Sequence, residues 1–123
     1  MYLLVVTTQT VNDFDEQLVQ VIEETIKYCL GETNAAIVIN YLEAQDYPLR
    51  EIPKRPEIFS EELRNLMGFG RRQITGAAVI LEETILELFC KKLGISLEAE
   101  KPINFSYHVR KLRETYKDGD VRR

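Results

Sequence analysis

Apolar residues recur at steps of three and four along most of the chain, and this spacing predicts helices. The first stripe is Phe14, Leu18, Val21, Ile22, Ile26 and Cys29, with Glu23, Glu24 and Lys27 on the opposite side. Asn12 or Asp13 suits the N-cap, Asp15 and Glu16 favour the first turn, and Gly31 suits the C-terminal stop. A second helix follows, capped by Thr33 or Asn34 and carrying Ala35, Ala36, Val38, Ile39 and Leu42. Residues 36–39 alone would also suit a buried strand, but the alanines, Leu42 and Glu43 favour helix. Pro48, Pro53 and Pro56 make residues 46–56 a loop, with Leu49 and Ile52 packing it down.

Pro56 is suited to the first position of a short helix over 56–67, whose apolar face is Ile58, Phe59, Leu63, Leu66 and Met67. Gly68 and Gly70 break it. The longest helix runs from Arg71 to Leu93, with the stripe Ile74, Ala77, Ala78, Leu81, Thr84, Ile85, Leu88 and Phe89. Lys91 and Lys92 suit its C-terminus and Gly94 stops it. Asn104 or Ser106 opens a last helix with a thin apolar edge of Tyr107, Val109, Leu112 and Tyr116, and residues 118–123 are expected to fray.

These elements define an all-α fold: a compact bundle of four to five helices forming one domain over 1–123. The core occupies 12–95 and a basic C-terminal helix occupies 102–117. Residues 1–10 stand apart. Met1 to Val6 is apolar and rich in strand-forming residues, which suits a short strand or extended arm. Pairing with a second copy, lying along the bundle as a strap, or extending the first helix by a turn would each satisfy it.

Composition changes this picture little. The chain has 123 residues, 45% hydrophobic and 29% charged, close to globular averages. No apolar run approaches the ~20 residues of a membrane span, and the start lacks the basic residues and cleavage signal of a secretory peptide. The reading is a cytoplasmic protein. Charge is more informative. The net value is −4, yet residues 101–123 carry 7 Lys/Arg against 3 Asp/Glu while residues 1–100 carry 9 against 17. A basic C-terminal helix either docks on its own acidic body or meets an anionic partner. Cys29 and Cys90 both fall on predicted apolar faces and read as reduced core thiols. There is no CxxC pair for zinc or redox work.

Catalytic chemistry has few candidates. His108 is the only histidine and reads as a surface or partly packed imidazole. The acidic groups Glu23/Glu24, Glu61/Glu62 and Glu82/Glu83/Glu87 lack the Glu-x-x-His spacing of a di-iron site and read as solvated faces. We therefore expect no enzyme activity, no metal and no cofactor. The most suggestive local feature is the turn formed by Gly68, Phe69, Gly70, Arg71 and Arg72. Free N–H groups at a helix start favour an anion, and two arginines there oppose the helix dipole unless something negative binds. The alternative is a tight turn in which the arginines pair with Glu61 or Glu62.

One family resemblance bears on function. Tyr28-Cys29-Leu30-Gly31 closing a helix, the apolar run Ala36 to Glu43, the loop Ile52 to Phe59, Leu63, Gly68 to Gly70, and Leu88 to Gly94 stand in an order that resembles the archaeal Nitrosopumilus output domain 5 (NitrOD5-like) type. The likeness covers residues 25–95. It implies a helical output or interaction role and carries no catalytic residues. Three functions remain in view: a self-associating or partner-binding interaction module, a nucleic-acid-binding regulator using Arg71, Arg72 and the basic tail, and an anion or nucleotide site between helices. The net negative charge disfavours the second.

Overall fold

The computed structural model describes residues 13–68, 77–97 and 103–119. Among them are five α-helices and no strand: α1 (Asp13–Leu30), α2 (Glu32–Ala44), α3 (Pro56–Leu63), α4 (Ala77–Leu93) and α5 (Phe105–Gly119). The all-α bundle follows from the stripes already noted. The N-terminal segment 1–10, and with it the choice between strand and arm, lies outside the described residues.

α1 buries Phe14, Leu18, Val21, Ile22, Thr25 and Ile26, the predicted stripe with Thr25 added. Cys29, expected in the core, is exposed, because in the last turn it is Leu30 beside it that packs against the core. Gly31 alone separates α1 from α2. Its φ of 87° is left-handed, which favours glycine over any residue with a Cβ. Its N–H donates to the Lys27 carbonyl, and its own carbonyl accepts from Ala35 N–H. α2 thus starts at Glu32, not at a Thr33 or Asn34 cap. The Asn34 side chain instead reaches back and donates to the Leu30 carbonyl at 3.2 Å, satisfying the end of α1.

The proline-rich loop is ordered by a 3-10 turn, Leu49–Glu51, and by two buried residues. Ile52 is fully buried, and Tyr47 is buried with its hydroxyl donating to the Arg55 carbonyl at 2.6 Å. Burial pushes the Tyr47 hydroxyl well above its ordinary pKa. Pro56 opens α3 as its spacing predicts. The α-helix ends at Leu63, earlier than the predicted 67, and widens into a π-helical turn, Arg64–Gly68.

α4 lies at the centre, against α1 on one side and α3, the π turn and α5 on the others. Being covered on several sides, it buries Ala78, Leu81, Glu82, Ile85, Leu86, Phe89 and Cys90. The buried face is therefore rotated from the predicted stripe: Ala77 is exposed, Thr84 is half-buried and Leu88 is exposed, while Leu86 and Cys90 go in. Glu82, read from sequence as solvated, is only 2% exposed. Phe89 meets Phe14 edge-on at 5.3 Å between ring centres.

α5 starts at Phe105, with Asn104 as its cap: the Asn104 side-chain oxygen accepts from Tyr107 N–H at 3.0 Å. It runs through Gly119, further than expected. Its edge is thicker than the sequence suggested, since Ile103 and Phe105 are buried with Val109 and Leu112, whereas Tyr107 is exposed. Phe105 stacks on Phe59 at 5.2 Å. The basic helix docks on the acidic body. Arg113 pairs with Asp15 at 2.8 Å, donates to the Pro53 carbonyl at 2.7 Å and lies 4.7 Å over the Phe14 ring. Arg110 pairs with Glu57 at 2.6 Å, and Tyr116 donates to Asp13.

Candidate interaction surface

Of the turn singled out by sequence, only Gly68 falls within the described residues, as the last residue of the π turn. Gly70, Arg71 and Arg72 lie outside them. Next to that turn, Arg64 donates to the Ser60 carbonyl at 3.0 Å and approaches the buried Glu82 carboxylate at 3.7 Å. Burial pushes the Glu82 carboxyl up, and the Ser60 hydroxyl and Arg64 guanidinium oppose this only in part. Its Oε2 has no hydrogen-bond partner. Glu62 is engaged elsewhere, accepting from the Tyr41 hydroxyl at 2.8 Å, a bond that raises the tyrosine's pKa.

The other chemistry-bearing residues are placed as follows. His108 Nδ1 lies 2.9 Å from the Asn104 carbonyl, and its ring meets Tyr107 edge-on. Cys29 and Cys90 are free thiols, and burial pushes the Cys90 thiol up. Among the described residues no group of three or more His, Cys, Asp or Glu is arranged to hold a metal, and no helix is long and apolar enough to cross a membrane.

Two of the surface grooves are lined by described residues alone. The larger, about 450 Å³, lies between α1 and the proline-rich loop and is lined by Asp15, Glu16, Val19, Gln20, Glu23, Arg50 and Lys54. Its walls are mostly charged and solvated. The second, about 360 Å³, lies between α1 and α4 and is lined by Val21, Glu24, Thr25, Tyr28, Leu88, Lys91 and Lys92. Its character is different. Tyr28 is 84% exposed and Leu88 39%, two large apolar side chains on one depression. Thr25 is buried in its wall with the hydroxyl unpartnered, although native structures pair most such groups. Glu24 stands on the α1 wall and Lys91 and Lys92 on the α4 wall. An apolar centre with a charged rim is the anatomy of a protein contact.

Sequence reasoning missed this surface. It placed Leu88 in the core and read Lys91 and Lys92 only as complements to a helix end. A signal was nevertheless present. Tyr28 follows the buried Val21 and Thr25 at steps of four and three at the edge of the core stripe of α1, and Ile80, Thr84 and Leu88 recur at steps of four on α4.

Compared with protein-family models, curated proteins and solved structures, the chain gives no match.

Proposed function

We propose that the protein is a non-catalytic protein-interaction module acting in the cytoplasm, and that the α1–α4 groove is its contact surface. The observation that carries this reading is the joint exposure of Tyr28 and Leu88 over the unpartnered Thr25 hydroxyl. Exposed aromatic anchors beside a pocket are where binding energy concentrates. The free thiols fit a reducing compartment. The resemblance to output domains of the Nitrosopumilus type points to the same role. Of the basic residues behind the nucleic-acid reading, Arg110 and Arg113 pair with Glu57 and Asp15 of the same chain.

The test is affinity capture with the full chain and with Tyr28→Ala/Leu88→Ala. Proteins retained by the parent and lost at least tenfold by the double variant, at unchanged helix content, support the reading. Identical captured sets refute it.

A further inference from the structure

We infer that the occupant of the α1–α4 groove is a second copy of this chain, in an isologous dimer. The inference rests on the proposed interaction role and names its partner. A two-fold interface juxtaposes the same patch on both subunits, so that if residue i meets j, then j meets i. The patch must therefore complement itself, and this one does in two respects.

The first is charge. The α1 wall carries Glu24 and the α4 wall carries Lys91 and Lys92, so one groove holds both signs on opposite sides. A two-fold axis through the groove sets the acidic wall of one copy against the basic wall of the other, twice over. Both lysines are exposed. The second is shape. The groove is a depression of about 360 Å³, and Tyr28 is a large side chain projecting beside it. Each copy thus offers both an anchor and a receptor. A foreign partner could satisfy either feature alone; a copy of this chain brings both together.

The experiment uses the full chain and reads solution mass by sedimentation equilibrium from low micromolar to millimolar protein. The expected result is a mass of twice 14.3 kDa. Tyr28→Ala should return it to the monomer value with an unchanged helical circular dichroism spectrum. Glu24→Lys and Lys91→Glu/Lys92→Glu should each weaken the dimer at least tenfold. Mixing those two variants should restore it, because the heterodimer pairs opposite charges at both sites, and misfolded variants would not recover this way.

A monomer at every concentration overturns the inference, and so does a dimer indifferent to all three variants. The interaction reading has its own readout. If the chain is monomeric yet its captured proteins depend on Tyr28 and Leu88, the interaction role stands and only the second copy falls. If capture is also indifferent, both fall.

Discussion

Glu82 is a carboxyl placed where a leucine would normally sit. It is 2% exposed, its Arg64 partner stands at 3.7 Å, and Oε2 is unpaired. Burial raises its pKa in the folded state, so the fold holds the proton more tightly than the unfolded chain does. Its stability contribution is therefore fully present below the ordinary carboxylate range and is lost as pH rises through the raised value. Glu82→Gln keeps the shape and removes the charge. It should stabilise the protein by roughly 1 kcal/mol or more at pH 8 and by much less at pH 5. Urea unfolding at the two pH values checks this, and a gain independent of pH would contradict the cause given. Sequence could not show this residue for what it is. Glu82 and Glu83 look alike in the string, and the phase of α4 is ambiguous because neighbours cover it on more than one side.

At the level of elements, the helices were legible and their ends less so. Pro56, Asn104 and Gly94 each mark a boundary by a known mechanism, and the structure places boundaries there. The π-helical turn after Leu63, which packs against α4, has no such marker. The same holds for the seating of α5. Its charge allowed docking on the acidic body without saying where, and it is Arg113 that joins Asp15, the Pro53 carbonyl and the face of Phe14 in one contact set. Arg110 makes a single pair with Glu57 in which both side chains are more than half exposed. The two arginines should thus differ. Arg113→Ala is expected to cost about 1–2 kcal/mol, combining a partly buried ion pair, a hydrogen bond and a cation–π contact. Arg110→Ala should stay within about 0.5 kcal/mol. Thermal denaturation of the two variants separates them, and equal losses would show that the α5 contact is general rather than centred on Arg113.

On the scale of the molecule, the described helices share one core. Ile22 of α1, Leu42 of α2, Phe59 of α3, Ile85 of α4 and Val109 of α5 are all fully buried in it. Such a core should unfold as a unit. Ile22→Ala is expected to cost 2–5 kcal/mol, and circular dichroism and tyrosine fluorescence should report the same midpoint for parent and variant. The chain has six tyrosines and no tryptophan, so the second probe reads Tyr41, Tyr47 and Tyr116 across the molecule. Separated midpoints would mean that α5 melts on its own. The bundle was foreseeable from sequence because burying stripes is a whole-chain requirement. The groove was not, since which second stripe stays uncovered depends on how α1 and α4 cross. The Gly31 joint carries a last consequence. Nothing lies within 4 Å of where a Cβ would sit, so a side chain there is opposed by the left-handed φ and not by a clash. Straightening would relieve that strain, about 1–2 kcal/mol, by merging residues 13–44 into one rod about 48 Å long. Such a rod would carry Ala35, Val38 and Leu42 out of the core in which they are buried. The forfeited burial exceeds the strain relieved, so the joint works as a hinge pinned from outside by its helices, and a methyl there weakens the bundle without opening it.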